Sequence, residues 1–270
     1  MTATELRAES VERSGFVPSL PALVGLVRRA VTRLARVPAI LAPTVIMPAF
    51  FIVAFTGSFD GISRVEGYPT DNIVNWVAAF AVLQSCAFAG IGAAASIATD
   101  LDTRFIDRLL VAPLRRWLVI AAPLGQAAFR ALIPTTIILV IAAFKGASMP
   151  AGIGGVAMVY VGGMTMAMVM GLLGVGVVLL IGNMRAMAVV QVISFLVLFP
   201  STGQVPLELM DGWLQTMARY NPATPMLAMT RQGFLGELSW SDTWPGLAVV
   251  AAGIVVFGGF ARAQLRRLDG

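Results

Sequence analysis

Apolar runs alternate along this chain with short polar stretches, and the two periodicities set the elements. In the first periodic segment, 20–37, residues Leu20, Leu23, Val24, Val27, Ala30, Val31 and Leu34 fall on one helical stripe, with Arg29, Arg33 and Arg36 opposite. The segment is too charged to span a bilayer. It is predicted to lie flat in the interface, its arginines toward anionic headgroups. The polar stretch 1–19 before it predicts a disordered cytosolic tail. Six apolar segments follow, at about 38–56, 73–98, 118–144, within 151–182, 187–199 and 244–260. A spanning helix needs roughly 20 such residues, so the fold class is all-α: a polytopic membrane protein with six transmembrane helices.

The interiors of these runs carry further detail. Pro43 and Pro48 predict a kinked first span whose freed carbonyls need packed neighbours. Gly90, Ala94 and Ala98 in the second span, and Gly163, Ala167 and Gly171 in the fourth, have the small-xxx-small spacing that lets helix backbones approach closely. The third span contains Arg130, which either faces the protein interior or snorkels to the cytosolic interface; its long side chain favours snorkelling. The fifth run has about 13 apolar residues before Pro200, fewer than a full crossing needs. The amphipathic stretch after it, with Leu207, Leu209, Trp213, Leu214 and Met217, predicts a hairpin-like outer segment over 200–243 that dips back along the surface. Trp213, Trp240, Trp244 and Tyr220 there fit an interfacial aromatic belt.

Charge fixes the orientation. With the amino terminus cytosolic, inside segments hold 14 arginines and outside segments only Arg64, Lys145, Arg219 and Arg231. Positive residues collect on the cytoplasmic side, so both termini are cytosolic and the membrane is the cytoplasmic one. The segment 100–116 then becomes the main cytosolic loop. Seven of its 17 residues are Asp or Arg. Within it Phe105 and Leu109, like Ile106 and Leu110, stand at i, i+4 on an apolar stripe, with Arg104 and Arg108 on another face and Pro113 ending the helix.

Composition then removes function classes. The chain of 270 residues is 58% hydrophobic, 12% charged and of net charge +5. Its basic residues sit at span ends, which argues for topology rather than nucleic-acid binding. There is no histidine, so the commonest proton shuttle, metal ligand and nucleophile partner are missing and no metal site is expected. The single Cys86 lies in an apolar run. No G-x-x-x-x-G-K-[ST] occurs, so the chain has no Walker-type nucleotide site. An ion-coupled secondary transporter would need acidic residues or histidine inside its spans, and only Arg130 is ionisable there. A non-transporting membrane scaffold stays open.

The order of elements, with the run 199–237, resembles the membrane subunit of ABC-2-type ATP-binding-cassette exporters, closest to the daunorubicin-resistance type. The matching residues are Ser201, Gly203, Pro206, Trp213, Leu214, Gln215, Asn221, Pro222, Thr224, Arg231 and Gly236. The likeness covers roughly 20–267. Where many relatives have Glu and then Gly-Thr before the cytosolic helix, this chain reads Asp100, Asp102, Thr103 and Arg104, and Gly212 replaces a proline before Trp213.

The resemblance implies a permease subunit that pairs with a second one, identical or related. A separate ABC ATPase subunit would carry ATP and Mg, this chain binding no cofactor. The helix in 100–116 would be the coupling helix, with Phe105, Leu109 and Leu110 as anchors and Arg104 and Arg108 as polar contacts. The cargo path would run between the subunits along spans 1, 2 and 5, with Phe195, Phe199, Ser201 and Trp213 at its outer gate. A path without acidic residues suits a hydrophobic or amphiphilic compound such as a drug, lipid or glycolipid.

Overall fold

The computed structural model describes residues 42–58, 60–106, 117–236 and 238–267, together with Pro21, Val24, Gly25, Val27, Arg28 and Thr32. Helices dominate, and no strand occurs among the described residues. The elements are α1 (Ala42–Ser58), α2 (Ile73–Asp102), α3 (Leu118–Phe144), α4 (Gly152–Ile181), α5 (Ala186–Leu198), α6 (Gly212–Tyr220), α7 (Ala223–Leu235) and α8 (Trp240–Arg267). Four of them, α2, α3, α4 and α8, are long and apolar enough to cross a membrane unaided. The apolar helices α1 and α5 are shorter, at 17 and 13 residues.

The bundle is assembled around α2, which packs against α1, α3, α4, α5 and α7. Its enclosure follows from small residues. A Cβ on Gly90 would strike the Ala167 carbonyl oxygen and lie 2.8 Å from the Gly171 amide nitrogen, and one on Gly174 would lie 2.6 Å from the Ala94 Cβ. The two small-residue faces read from the sequence therefore meet each other, and α2 and α4 run parallel. α3 runs antiparallel to α2. Asn75 donates to the Ser148 hydroxyl at 2.9 Å near the start of α2, Cys86 Sγ lies 3.3 Å from Thr135 Oγ1 mid-way, and the Ser96 hydroxyl donates to Gln126 Oε1 at 3.2 Å further along. At the same end Asn72 caps α2 by accepting from the Val74 amide at 2.9 Å and donates to the Gly146 carbonyl at 2.8 Å.

Arg130 does not snorkel. It sits at the middle of α3, is 3% exposed, and its guanidinium occupies the space left by Gly92: a Cβ there would lie 2.6 Å from Arg130 Cζ. Removing that one methyl group from α2 gives the side chain an interior berth, which composition does not reveal. The interfacial helix expected at 20–37 is represented by the few described residues, of which Val27 packs against Gly125 of α3; Arg29, Arg33 and Arg36 lie outside the described residues.

The outer segment departs most from expectation. Rather than a surface hairpin throughout, it consists of an exposed α6 and a buried α7. In α7 the side chains of Met226, Leu227, Met229, Thr230, Arg231, Gln232 and Phe234 are all enclosed. α7 packs antiparallel on α4, where Gly233 lies against Gly155 and Thr230 against Gly162, and on α8, where Gly246 leaves room for Met229. It starts beside the end of α5. A 13-residue helix spans roughly 20 Å, short of the ~30 Å hydrocarbon core.

Candidate functional site: an aromatic seam and the joint of a broken crossing

A break between two packed helices leaves helix-end carbonyls without intrahelical partners, and neighbouring groups have to supply donors. The residues 198–203 show how this is met. The Ser201 hydroxyl donates back to the Leu198 carbonyl. Asn221 Nδ2 donates to the Val197 carbonyl at 2.7 Å and the Pro200 carbonyl at 3.0 Å. Its Oδ1 accepts from the Ala223 amide at 2.8 Å, so one side chain closes α5 and opens α7. Arg231 supplies the rest: Nη2 donates to the Thr202 carbonyl at 2.7 Å and the Gly203 carbonyl at 3.4 Å, and Nε to the Trp76 carbonyl of α2 at 3.2 Å. The guanidinium carbon stands 3.5 Å from the centroid of the Trp76 ring, a cation–π contact. Gly203 is required here because a Cβ would collide with the Phe80 ring.

Below the joint the rings of three helices form a continuous seam. Phe199 lies 5.9 Å from Phe51 of α1, 5.7 Å from Phe80 of α2 and 5.4 Å from Phe195, centroid to centroid. Phe195 reaches Phe88 at 5.7 Å, and Phe51 stacks on Phe55 at 5.6 Å. α1, α2 and α5 thus converge on Phe199 through edge-to-face and tilted contacts. Outside the seam, Ile46, Phe50 and Val53 on α1 and Val189, Val192 and Leu196 on α5 are exposed.

The residues expected at an outer gate therefore separate into three environments. Phe195 and Phe199 belong to the seam. Ser201 is fully buried and engaged with the α5 backbone. Trp213 stands 73% exposed on α6, in company with exposed Tyr220, Trp240 and Trp244. In the segment 100–106 α2 runs through Asp102, and the chain turns at Arg104, whose φ of 53° is left-handed. There the Arg104 amide donates to the Leu101 carbonyl at 2.9 Å. Arg104 is exposed, Phe105 half-buried, and Ile106 buried in the protein's own core; Arg108, Leu109 and Leu110 lie outside the described residues. No group of metal-binding side chains occurs among the described residues.

The sequence analysis counted Arg231 among the outside loop charges, but the structure buries it, and neither the holding role of Asn221 and Arg231 nor any role for Gln84 was read from the sequence. The Asn-Pro dipeptide is a turn and cap signal that could have located Asn221. An arginine followed by glutamine and glycine carries no such local mark.

Comparison with known proteins agrees with this architecture. Residues 52–262 match the model of the ABC-2 family transporter protein. Relatives include the ycf38 proteins of Cyanophora paradoxa, 26% identical over 79% of this chain and 75% of theirs, and of Pyropia yezoensis, 25% identical over 81% and 75%. The ycf38 protein of Porphyra purpurea is 27% identical over 73% of this chain and 68% of its own. All three are named as transport permeases. The chain belongs to the ABC-2 transporter family and is a multi-pass membrane transport permease.

Proposed function

We propose that this chain is the membrane-spanning half of an ATP-driven exporter that moves a hydrophobic or amphiphilic compound across the cytoplasmic membrane. The observation that carries the reading is the aromatic seam of α1, α2 and α5. It joins three helices at membrane depth, and α1, α5 and residues 73–99 of α2 contain no acidic or basic residue. Such a surface solvates greasy cargo and offers nothing to a permanently charged one. A separate ATPase subunit supplies ATP hydrolysis, in keeping with the missing Walker sequence. It docks at 100–116, where the left-handed turn at Arg104 redirects the chain out of α2. Two permease subunits, identical or related, meet through the exposed apolar faces of α1 and α5. Six crossings, with α5 and α7 counted as one, leave both termini cytosolic.

The test is reconstitution. The chain should co-purify with its ATPase, and a hydrophobic compound should stimulate ATP hydrolysis in nanodiscs. The double substitution Phe105→Asp with Leu109→Asp should abolish association while leaving the protein in the membrane. Retention of the ATPase by that variant, with full activity, would remove 100–116 as the docking element; failure of any ATPase to associate with the unaltered chain would remove the reading itself.

A further inference from the structure

Gln84 lies in the middle of α2 and is 1% exposed, yet neither its Oε1 nor its Nε2 has a hydrogen-bond partner among the described residues. Apart from the Trp76 indole Nε1, the other buried polar side chains of α2 have partners. Asn75 bonds Ser148, the Ser85 hydroxyl donates to the Ala81 carbonyl at 2.7 Å, Cys86 meets Thr135, and Ser96 bonds both the Ala93 carbonyl and Gln126. A bare buried amide is costly, and a leucine of similar size would avoid the cost.

Its position gives the amide a use. Residues 80, 84 and 88 share one face of α2, one helical turn apart. Phe80 meets Phe199 and Phe88 meets Phe195 across that face, so Gln84 lies between the two ring pairs. A second copy of the chain cannot satisfy it from outside, because the helices packed around α2 leave the side chain no open surface.

We propose that Gln84 is the polar recognition point of an occluded amphiphile site between α1, α2 and α5. The site takes a neutral molecule with a long apolar body and one uncharged hydrogen-bonding group, an amide above all. The amide suits it because Gln84 offers one acceptor and a donor side by side, and a ligand amide can engage both reciprocally. Neutrality follows from the absence of any charged side chain on α1, α5 and residues 73–99 of α2. In the present arrangement Phe199 bridges Phe51 and Phe80 and closes the site. Entry therefore requires α1 or α5 to part from α2. The proposal rests on the permease reading and narrows its cargo.

Photolabelling of the full-length chain in nanodiscs tests it. The probe is hexadecanamide carrying a diazirine on its chain, with unlabelled hexadecanamide and hexadecane as competitors. The label should fall on peptides of α1, α2 and α5. The amide should compete about five- to hundredfold better than the alkane, the range two neutral hydrogen bonds command. Gln84→Leu should erase that preference while retaining labelling, and should melt higher than the unaltered chain; Gln84→Met serves if the leucine does not fold. An unchanged preference in either variant, or label outside these helices, overturns the proposal. Labelling needs no ATPase, so the two readings fail separately. Amide-selective labelling without ATPase association removes the exporter and keeps the site. Amphiphile-stimulated ATP hydrolysis with Gln84-independent selectivity removes only the site.

Discussion

Arg231 offers the sharpest test of how the broken crossing is held. Replacing it with methionine keeps an apolar stem and deletes the donors. The Thr202 and Trp76 carbonyls, bonded at 2.7 and 3.2 Å, lose their partners in a water-poor interior; each orphaned group costs about 1–3 kcal/mol. The stacking on Trp76 at 3.5 Å adds about 2 kcal/mol for a desolvated cation–π pair. Against this, a buried charge no longer has to be desolvated, which returns several kcal/mol. The balance is a loss of about 2–4 kcal/mol, or roughly 5–15 °C in Tm for a chain of this size. Arg231→Lys keeps the charge and loses the fork that spans two segments, so it should fall between. Thermal unfolding of the purified chain measures the loss, and hydrogen exchange locates it: amides in 199–203 should exchange faster, while those in the middle of α4 should not. An Arg231→Met protein that melts within ~1 °C of the unaltered chain, with unchanged exchange at 199–203, would refute the carbonyl-clamp reasoning.

Other substitutions probe the remaining contacts. Gly90→Leu has to push α2 off the α4 backbone and should cost at least about 1–3 kcal/mol, read as lower Tm and poor recovery from the membrane; a variant of normal stability would mean that the two helices do not meet there. Arg104→Gly relieves a left-handed non-glycine residue and should stabilise the isolated chain by about 0.5–1 kcal/mol, read as a small rise in Tm. Phe199→Ala removes the hub of the seam and should alter transport of a hydrophobic probe or basal ATP hydrolysis at unchanged membrane levels; wild-type rates in both Phe195→Ala and Phe199→Ala would place the path elsewhere. With Cys86 buried and silent, a cysteine at Glu66 should label from outside intact cells and one at Asp102 should not; outside labelling at 102 would invert the topology.

What was legible in the sequence was what local spacing controls. Gly90 and Ala94, and Gly163, Ala167 and Gly171, announce close-packed faces because removing side-chain bulk is visible residue by residue, and these faces do pack together. The early stop of α5 is likewise written in its short run of 13 mostly apolar residues. α7 was not legible. Thr230, Arg231 and Gln232 interrupt its apolar pattern, and their burial is tolerable only because partners arrive from elsewhere. Gln232 donates to the Thr243 hydroxyl at 3.0 Å and accepts from the Ser239 amide at 2.6 Å. Arg231 finds the Trp76 carbonyl 155 positions away. Arg130 illustrates the same limit: its interior position depends on a missing methyl on another helix. At the candidate site, Phe195 and Phe199 were visible as aromatics near the end of a span. The unpartnered state of the Gln84 amide emerges only when the helices packed around α2 enclose it.

The joint between α5 and α7 has a consequence for how the chain is made. As the ribosome extends it, α5 leaves the exit tunnel with only about two-thirds of the length of a crossing, and its end carbonyls are not yet capped. The Asn221 amide follows more than 20 residues later, and the Arg231 guanidinium later still. The guanidinium cannot act on the Trp76 carbonyl until α2 is already in the bilayer to present it. Insertion of this segment is therefore a docking step onto a finished α2, not an independent partitioning of a greasy helix. A nascent chain halted before residue 231 would hold its fifth crossing open, with bare peptide groups facing lipid.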